Sequence, residues 1–590
     1  MFAKVLVANR GEIAVRVIRA LEELGVASVA VYSEADRDAV HVKRADEAYL
    51  LGPTPPAESY LSVERILAAA TRAGAEAIHP GYGFLAENAA FARACDAAGI
   101  VFIGPPAEAI EAMGSKTRAR ELMAAAGVPI VPGTTAPVAT LADARTIATK
   151  QIGYPVAVKA AAGGGGKGFR VARKPKELAA AFEGAAREGE QYFSDSTVYL
   201  ERYLPDPRHV EVQVLADSHG NVVHLGERDC SIQRRHQKLI EESPAPEWIV
   251  SPALRERIGR IATDAARAVG YRSAGTVEGL LAGEEYFFLE MNTRVQVEHC
   301  VTEMTTGIDI VKEQVRIAAG EPLSIAQQDV VLRGHAIECR INAEDASKGF
   351  APAPGTIGTY REPTGPGVRV DSGVGPGSEI SPAYDPLVAK LIVWDRDREQ
   401  ATERMLRALR EFEITELRTL LPFHRALLGT EQWRRGETCR DLLEDKAWLR
   451  RLAFGTGSTE SADAGAQAPR AERAYTVEVS GRRFDVKVIG EHSPATDGGS
   501  VAPPGPAKQR RHSVAAPRGD GDTLVAPLQG TVLKVSVAQG AVVEQGTLVC
   551  VIEAMKMENE ITAHKAGTVA SLPVAVGASV AVGDTLAVIS

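Results

Sequence analysis

Val277-Glu278-Gly279-Leu280-Leu281 and Tyr286-Phe287-Phe288-Leu289-Glu290-Met291 are two apolar runs separated by a four-residue segment that contains glycine. This pattern predicts an antiparallel hairpin. A turn centred on Glu284 places Glu278 directly opposite Glu290, where the two carboxylates repel each other. A divalent cation removes that repulsion, and hard oxygen ligands suit Mg²⁺. The hairpin therefore indicates either a metal site or, more simply, a solvated polar face.

Polar side chains continue beyond the hairpin at every second position. If the backbone stays extended, one side of it carries Glu290, Asn292, Arg294, Gln296 and Glu298, and the apolar residues between them face the other way. A strand made polar only for solubility would be richer in Lys and Thr. The row therefore predicts an active site with metal ligands, a cation, an amide and a carboxylate on one face.

A glycine-rich loop follows another predicted strand. Val156-Ala157-Val158-Lys159 leads into Gly163-Gly164-Gly165-Gly166-Lys167-Gly168. Glycines let backbone N–H groups approach phosphate closely, and the ammonium groups of Lys159 and Lys116 would offset triphosphate charge. The P-loop pattern GxxxxGK[ST] is absent. The loop by itself is compatible with phosphate binding and also with a simple mobile turn.

Residues 1–113 alternate short apolar runs with amphipathic patterns, beginning with a strand over Lys4–Ala8 and a helix over Glu12–Leu24. This βαβ alternation predicts an open parallel sheet. The loops Asn9–Glu12 and His79–Gly83 follow predicted strands, where ligands bind in such sheets. Neither loop contains GxGxxG, so a dinucleotide is not indicated.

The rest of the chain divides by composition. Two tracts rich in Gly, Ala, Ser and Pro cannot offset their ordering entropy by burial, so we interpret them as linkers. The predicted segments are residues 1–113, an N-terminal α/β domain; 114–330, a domain with the hairpin and the glycine loop; 331–448, an α+β domain; 449–472, a linker; 473–490, a small β-hairpin; 491–521, a flexible linker; and 522–590, a β domain. A flexible linker of about 30 residues spans on the order of 30 Å, which lets the last domain move between active sites.

Lys556 lies between the two halves of an internal repeat in the last segment. Gly530-Thr531-Val532 recurs 37 residues later as Gly567-Thr568-Val569, and two further glycines recur at the same offset. Gly-punctuated apolar runs predict short strands joined by tight turns. The residues around Lys556 also favour helix, where an exposed Lys is only a solvated charge. At the turn between the halves the amine is accessible to a modifying enzyme, so we predict that Lys556 is a covalent carrier site.

Composition excludes several classes of function. The chain has 590 residues and a net charge of −9, which is consistent with several domains, and no Lys/Arg cluster is interleaved with aromatic residues as a nucleic-acid surface requires. Its six cysteines show no CxxC pair and no zinc-ligand spacing, so reduced buried thiols are expected. No apolar run reaches the roughly 18 residues of a membrane span, and the chain enters a strand directly. We expect a soluble, cytoplasmic, bacterial protein that binds neither nucleic acid nor membrane.

Ala554-Met555-Lys556-Met557 in a repeated β domain resembles the biotinyl domain of biotin-dependent carboxylases. Residues 1 to about 445 resemble biotin carboxylase, an ATP-grasp enzyme. The motifs that carry this resemblance are Ala8-Asn9-Arg10-Gly11-Glu12-Ile13-Ala14, His79-Pro80-Gly81-Tyr82-Gly83-Phe84-Leu85, the glycine loop, Arg234-Arg235-His236-Gln237-Lys238 and Glu290-Met291-Asn292-Thr293-Arg294-Val295-Gln296-Val297-Glu298-His299. The resemblance implies a multidomain α/β and α+β fold, with an ATP-grasp biotin carboxylase followed by a C-terminal all-β, lipoyl-like biotinyl domain. The carrier Lys of lipoyl domains usually follows Asp, so Met555 favours biotin on Lys556.

The resemblance also implies roles for individual residues. ATP would be held by Lys116, Lys159, Gly165, Gly166, Glu201, Leu204, His209, Gln233 and His236. Mg²⁺ or Mn²⁺ would be held by Glu278, Glu290 and Asn292, and bicarbonate by Lys238, Arg294, Gln296 and Val297. Glu298 would be the general base and Arg340 would bind the ureido oxygen of biotin, so the catalytic set is Lys238, Arg294, Glu298 and Arg340.

By the same resemblance, bicarbonate attacks the γ-phosphate of ATP to give carboxyphosphate, which breaks down to CO₂ and phosphate. Phosphate then removes the N1 proton of biotin, and the enolate captures CO₂. No stretch resembles a carboxyltransferase, so we expect the α subunit of an acetyl- or propionyl-CoA carboxylase with a separate carboxyltransferase β subunit. Biotin protein ligase is a second expected partner, and we expect a homo-oligomer within a larger complex.

Other hypotheses stay open. The final acceptor could be methylcrotonyl-CoA, geranyl-CoA or pyruvate, or the chain could be a different ATP-grasp ligase with a lipoyl-type carrier or a C-terminal binding module. Two residues also depart from the usual motifs. Cys300 stands where Pro commonly follows Glu-His, and Gly279 stands where an aromatic residue commonly follows the metal-binding Glu. Neither replaces a contacting group, so only local packing is expected to differ.

Overall fold

The structure is a computed structural model that describes residues 1–134, 136–160, 168–193, 196–452, 471–479, 482–490, 522–526, 530–554, 557–580 and 583–590. It contains two compact units, Met1–Ala453 with Asp522–Ser590, and Phe454–Gly521. Most of the glycine loop, most of the predicted linkers, Met555 and Lys556 lie outside the described residues. Within the described ranges, no helix combines the length and the apolar character needed to cross a membrane.

The N-terminal segment contains a parallel sheet, as predicted. Its elements are β1 (Lys4–Val7), α1 (Gly11–Glu23), β2 (Ala27–Ser33), α2 (Val40–Arg44), β3 (Glu47–Gly52), α3 (Val63–Ala73), β4 (Ala77–His79), α4 (Ala89–Ala97), β5 (Val101–Phe102) and α5 (Ala107–Gly114). The strand order is β3-β2-β1-β4-β5, with apolar clusters on both faces. The loops after β1 and β4 meet, because Asn9 Nδ2 donates to the carbonyls of Pro80 and Tyr82 at 2.7 and 2.8 Å.

The central segment contains two sheets. Its elements are α6 (Lys116–Ala125), α7 (Leu141–Ile147), β6 (Val156–Ala160), β7 (Phe169–Ala172), α8 (Leu178–Phe193), β8 (Val198–Arg202), β9 (Arg208–Ala216), β10 (Val222–Arg234), β11 (Gln237–Ser243), α9 (Pro252–Ala268), β12 (Ser273–Ala282), β13 (Glu285–Asn292), α10 (His299–Thr306) and α11 (Ile310–Ala318). Strands β7-β6-β8 form a small antiparallel sheet, and its apolar side chains pack with those of α8. The glycine loop connects β6 to β7, as predicted.

The third segment extends the sheet of the second. Its elements are β14 (His335–Asn342), β15 (Glu344–Asp345), β16 (Ala351–Pro352), β17 (Gly355–Thr356), β18 (Tyr360–Arg361), β19 (Val368–Ser372), β20 (Glu379–Ile380), β21 (Leu387–Asp395), α12 (Arg398–Glu411), β22 (Glu413–Ile414), α13 (Leu421–Leu428), α14 (Glu431–Arg434), α15 (Arg440–Glu444) and α16 (Lys446–Arg450). One antiparallel sheet runs β13-β12-β9-β10-β11-β14-β21-β19. The predicted boundary at residue 330 therefore falls between strands of a single sheet.

The hairpin β12–β13 pairs Glu278 with Glu290, as predicted, but its turn has a different geometry. Ala282 pairs with Glu285 across a two-residue turn, and a β-bulge at Leu289 then shifts the register by one residue. The prediction of an extended backbone beyond the hairpin is wrong, because β13 ends at Asn292 and the chain bends before α10. The polar residues that follow converge through this bend and not along a strand.

The C-terminal part of the chain is built only of strands where it is described. They are β23 (Ala471–Val479), β24 (Arg482–Gly490), β25 (Thr523–Val525), β26 (Gly530–Val535), β27 (Val542–Val543), β28 (Leu548–Ala554), β29 (Met557–Thr562), β30 (Gly567–Ser571), β31 (Ser579–Val580) and β32 (Thr585–Ile589). Strands β23 and β24 form the predicted antiparallel hairpin. Helix α16 and strand β23 reach into the two ends of the predicted 449–472 linker.

The last segment shows the predicted repeat. Strands β26, β27 and β28 begin 37 residues before β30, β31 and β32. The two sheets, β25-β32-β30-β27 and β29-β28-β26-β31, exchange members under this offset. Gly540 and Gly577 occupy equivalent turns with φ of 87° and 82°, a conformation that favours glycine. Ala554 pairs with Met557, so the predicted carrier residue, Lys556, follows β28 and precedes β29 in the chain, although Lys556 itself is outside the described residues.

Candidate active site

A cavity of 1380 Å³ collects residues from the N-terminal, central and third segments. The predicted site residues that line it are Lys159, Glu201, Leu204, His209, Gln233, His236, Lys238, Glu278, Glu290, Asn292, Arg294, Gln296, Val297, Glu298 and Arg340. Lys116 begins α6, and its side chain is not described. Gly165, Gly166 and Lys556 lie outside the described residues. The structure therefore brings together every predicted residue whose side chain it describes.

Three glutamates lie side by side on adjacent strands at this cavity. Glu211 on β9 pairs with Glu278 on β12, and Glu278 pairs with Glu290 on β13. Residues directly opposite in a sheet point to the same face, so the three carboxylates share one side. Glu211 is 0% exposed and Glu278 is 5% exposed. Buried carboxylates this close are stable only if cations compensate their charge.

The ammonium of Lys238 contacts three carboxylates at once. Its Nζ donates to Glu211, to Glu278 Oε1 at 2.9 Å and to Glu298 Oε1 at 2.6 Å. Burial lowers the pKa of Lys238, but these carboxylates outweigh burial and hold it well above its ordinary value. His209 Nε2 lies 2.8 Å from Glu278 Oε2, and its pKa is raised to about 9 although burial opposes the charge. Burial also opposes the charge on Glu278, yet Lys238 and His209 lower its pKa.

Arg228 is fully buried and orients the amide of Gln296. Its guanidinium donates to Glu211 Oε1 at 2.6 Å, to Gln213 Oε1 at 2.8 Å and to Gln296 Oε1 at 2.6 Å, and two threonine hydroxyls accept its remaining bonds. A guanidinium only donates, so Gln296 must turn its oxygen towards Arg228. The amide nitrogen then points the other way and donates to Glu278 Oε1 at 2.6 Å.

The carboxylate of Glu298 is held between two cations. Oε1 accepts from Lys238, and Oε2 accepts from Arg340 Nη2 at 2.8 Å. Arg340 Nε in turn donates to Glu241 Oε1 at 2.6 Å. Burial raises the pKa of Glu298, but Lys238, followed by Arg340 and Arg228, lowers it to about 2. A carboxylate with this pKa is a weak base, so Glu298 gains basicity only when its cations engage other anions.

Another part of the cavity combines charge with an apolar wall. Lys159 on β6 forms an ion pair with Glu201 on β8, and Arg120 Nη1 contacts the other oxygen of Glu201 at 2.9 Å. Arg235 and His236 form the two-residue turn between β10 and β11, with φ of 49° and 64°, and both residues line the cavity. Leu204 contributes a buried apolar surface. A cation, a carboxylate and an apolar wall together suit a ligand with a ring and charged groups.

Three residues of this network were missed at the sequence level: Glu211, Arg228 and Glu241. The alternation of polar residues over His209-Val-Glu211-Val-Gln213 is a signal that could have found Glu211. Glu211 pairs with Arg228 on the next strand, β10, but also with Glu278 on β12, which is more than 60 residues away in the chain. The polar segment that begins at Arg228 contains no pattern that distinguishes a buried position from an exposed one. The structure places Arg228 at the centre, 0% exposed.

The two departures from the usual motifs have different consequences. The ring of Tyr286 lies over Gly279, where an added Cβ would sit 2.2 Å from Tyr286 Cζ, so an aromatic residue of the facing strand fills this space. Only packing differs there, as expected. Cys300 is fully buried, and its Sγ lies 3.1 Å from both Asp371 Oδ2 and Lys390 Nζ. The expectation that only packing differs is wrong for Cys300, because the thiol joins a buried charge cluster.

Four family models match this chain. Residues 1–110 match "Biotin carboxylase, N-terminal domain", and residues 115–326 match "Carbamoyl-phosphate synthase L chain, ATP binding domain". Residues 338–445 match "Biotin carboxylase C-terminal domain", and residues 522–589 match "Biotin-requiring enzyme".

This chain is similar to several curated relatives and solved structures. The biotin-dependent acyl-coenzyme A carboxylase alpha3 subunit of Mycobacterium leprae is 47% identical over 99% of this chain and 98% of its own length. A pyruvate carboxylase subunit of Methanothermobacter thermautotrophicus is 56% identical over 74% of this chain and 88% of its own. The biotin carboxylase domain of Hydrogenobacter thermophilus 2-oxoglutarate carboxylase, a dimer solved with MgADP, ADP and bicarbonate, is 51% identical, with a TM-score of 0.70 over 76% of this chain and 99% of that one. Biotin carboxylase of Campylobacter jejuni, solved with a β,γ-ATP complex, is 46% identical with the same TM-score, over 74% and 98%.

Proposed function

Because this chain belongs to the biotin carboxylase family and is an ATP-dependent ligase with a biotin carrier domain, we propose that it is the α subunit of an acyl-CoA carboxylase. It uses ATP, Mg²⁺, bicarbonate and biotin. The observation that supports the acyl-CoA assignment is the share of this chain that each relative matches. The match to the M. leprae alpha3 subunit covers 99% of this chain, whereas the matches to the M. thermautotrophicus pyruvate carboxylase subunit and to the 2-oxoglutarate carboxylase small subunit of H. thermophilus cover 74% and 75%.

The ATP site is assigned to the end of the cavity near Lys159. The residues proposed to hold ATP are Lys116, Lys159, Gly165, Gly166, Glu201, Leu204, His209, Gln233 and His236. The ion pair between Lys159 and Glu201 supports this assignment, because a triphosphate can replace the carboxylate as the partner of the ammonium. Leu204 supplies an apolar contact for a base.

The Mg²⁺ ligands are assigned to Glu278, Glu290 and Asn292. These residues fit Mg²⁺, because two register-paired carboxylates and an amide oxygen are hard donors whose mutual repulsion a cation relieves. When bound, the metal neutralises phosphate charge on ATP. The chain's own part is to hold Glu278 through Asn292 Nδ2 at 2.7 Å and Gln296 Nε2 at 2.6 Å.

Bicarbonate is assigned to Lys238, Arg294, Gln296 and the backbone of Val297, with Glu298 as its base. Without substrates, Glu298 occupies the cations that bicarbonate and biotin would use. When Lys238 engages bicarbonate and Arg340 engages the ureido oxygen of biotin, Glu298 loses both stabilising partners. Its pKa then rises from about 2 towards the range in which it can accept a proton. The binding of bicarbonate and biotin thereby increases the basicity of Glu298.

Biotin is assigned to Lys556, and the proposed partners of the chain are biotin protein ligase and a carboxyltransferase β subunit. Strands β28 and β29, which flank Lys556 in the chain, pair as far as Ala554 and Met557, and this supports a carrier site at the connection between them. A homo-oligomer is proposed because the neighbouring structure of H. thermophilus is a dimer of its biotin carboxylase domain.

Two experiments test this function. ATP hydrolysis is measured with and without bicarbonate and free biotin, in wild type and in Glu298→Gln. We expect wild-type turnover to depend on both substrates and the variant to lose about 100-fold, as for loss of a general base. Undiminished turnover of Glu298→Gln would remove Glu298 from this role.

Avidin blotting after coexpression with biotin protein ligase should detect wild type and the control Lys565→Ala, but not Lys556→Ala.

The acceptor is tested by its partner. Affinity purification of the full chain from its host should recover a carboxyltransferase subunit. The purified complex, given bicarbonate and ATP, should carboxylate acetyl-CoA or propionyl-CoA. Exclusive activity on methylcrotonyl-CoA or geranyl-CoA would contradict the assignment of acetyl-CoA or propionyl-CoA as the acceptor, and exclusive activity on pyruvate or 2-oxoglutarate would contradict any acyl-CoA acceptor. Either result would leave the biotin carboxylase reaction intact.

A further inference from the structure

Two backbone carbonyls of the turn over residues 296–299, those of Gln296 and Val297, bond to buried side chains. The carbonyl oxygen of Gln296 lies 2.7 Å from Nδ1 of His299, a ring whose pKa burial lowers to about 3, so Nδ1 donates as a neutral imidazole N–H. The carbonyl oxygen of Val297 accepts a hydrogen bond from Lys390 Nζ at 2.9 Å. Lys390 lies on β21 and is 0% exposed. Two fully buried side chains, His299 and Lys390, therefore fix the orientation of two consecutive peptide groups.

These anchors determine where the neighbouring N–H groups point. In a planar trans peptide the N–H points opposite to the C=O of the same unit. The N–H groups of Val297 and Glu298 therefore point away from His299 and Lys390. No described residue accepts a hydrogen bond from either N–H, while Val297 and Glu298 line the cavity and Lys390 does not. Two adjacent N–H groups directed into a cavity form an anion-binding concavity.

Lys390 is itself held in a closed cluster. Its Nζ lies 3.1 Å from Cys300 Sγ, 3.2 Å from Glu12 Oε2 and 3.6 Å from Asp371 Oδ2. The Cys300 thiol donates to Asp371 at 3.1 Å, so the thiol joins the carboxylate to the ammonium. Burial lowers the pKa of Lys390, but Cys300 and the carboxylates of Glu12 and Asp371 raise it well above its ordinary value. The ammonium therefore remains charged.

The same cluster contains His299, Cys300 and Asp371 within 4.8 Å of one another, a set that can ligate a metal ion. A metal is unfavourable here, because the Lys390 ammonium contacts the thiol and the Arg369 guanidinium binds Asp371 Oδ2 at 2.7 Å. Permanent cations therefore already contact two of the three ligand groups, the Cys300 thiol and the Asp371 carboxylate. The cluster is better explained as support for the turn.

We infer that Lys390 is a positioning residue for bicarbonate: by fixing the Val297 carbonyl it aims the Val297 and Glu298 N–H groups, and with them the base, at the substrate. Cys300 and Glu12 hold the ammonium in place. This inference rests on the proposed function, because it assigns a role towards the bicarbonate of that reaction. Lys390 contacts neither substrate, so its loss should change bicarbonate use and leave ATP binding intact.

The test compares Lys390→Met with Arg398→Met in bicarbonate-dependent ATP hydrolysis by the full chain. Met keeps the length of Lys and removes the charge. We expect the KM for bicarbonate to rise about tenfold or more in Lys390→Met, the size of one lost hydrogen bond from a charged donor, with the KM for ATP within about twofold of wild type. The control substitution Arg398→Met removes a buried ion pair with Glu242, at 2.6 Å, whose residues do not line the cavity. That control should lower stability without changing either KM.

An equal rise of both KM values, or an unchanged KM for bicarbonate in folded Lys390→Met, overturns the inference. If Lys390→Met does not fold, Lys390→Arg replaces it, because a planar guanidinium keeps the charge but cannot occupy the position of the compact ammonium. The KM for bicarbonate should then rise selectively, and an unchanged value counts against the role. Wild-type enzyme without bicarbonate-dependent hydrolysis would instead refute the proposed function itself.

Discussion

Replacement of Arg228 by Met should uncouple the bicarbonate end of the site from the strands that support it. Arg228 makes five hydrogen bonds from a fully buried position, three of them to Glu211, Gln213 and Gln296. Met fills a similar space but donates nothing. The variant therefore leaves a buried carboxylate with one fewer cation and two amide oxygens without a donor.

The expected loss follows from these contacts. Breaking a buried ion pair from one side costs about 3–5 kcal/mol. Each buried amide oxygen left without a donor adds about 1 kcal/mol, at the low end of the range for such groups. Because Lys238 still contacts Glu211, the lower value applies to the ion pair and the total is about 5 kcal/mol. Arg228 belongs to the unit that contains Met1–Ala453, and for about 450 residues an unfolding entropy of about 2.1 cal/mol/K per residue gives about 1 °C per kcal/mol. The melting temperature should therefore fall by about 5 °C.

The assays are calorimetry and steady-state kinetics on the same preparations. Arg228→Met should also raise the KM for bicarbonate, because Gln296 is no longer forced to turn its nitrogen towards Glu278. Arg255→Met is the matched control, since Arg255 binds Glu227 at 2.8 Å but does not line the cavity. A melting temperature within about 2 °C of wild type, together with an unchanged KM for bicarbonate, would refute the reasoning.

Three further predictions concern other parts of the carboxylase segments. Glu303 has a pKa lowered to about 2, because the Arg16 guanidinium and other cations outweigh its burial. The charge of Glu303 therefore stabilises the fold fully above about pH 4.5. The difference in unfolding free energy between wild type and Glu303→Gln, about 3 kcal/mol at pH 7, should shrink as the pH falls from about 4.5 towards 2. Gly279→Ala should lower the melting temperature, because the added Cβ collides with the Tyr286 ring. The double variant Gly279→Phe with Tyr286→Gly moves the aromatic ring to the facing strand, so its melting temperature should lie closer to that of wild type. Glu290→Gln should raise the half-saturating Mg²⁺ concentration by about tenfold in the ATPase assay, and an unchanged value would remove Glu290 from the metal ligands.

The hairpin shows how far local pattern reaches. The facing positions of Glu278 and Glu290 followed from apolar runs around a Gly-containing turn, because hairpin pairing is local in the chain. The two-residue turn and the bulge at Leu289 did not follow, since they cancel each other in the register. The bend after Asn292 was missed because alternation of polar residues is compatible with a strand until packing stops it.

The amino-acid sequence by itself determined the parallel N-terminal sheet and the 37-residue repeat of the C-terminal β domain, because these depend on periodicity and turn glycines within short stretches. Its resemblance to a known family, carried by short motifs, indicated the predicted residues that the structure places around the cavity. Only the tertiary structure decided that Glu211 joins Glu278 and Glu290, that Arg228 lies at the centre, and that Lys390 supports the Val297 carbonyl from behind. The physical reason is that the contacts between Glu211 and Glu278, Arg228 and Gln296, and Lys390 and Val297 each join segments that are far apart in the chain. Their charges are balanced only after the sheet has assembled.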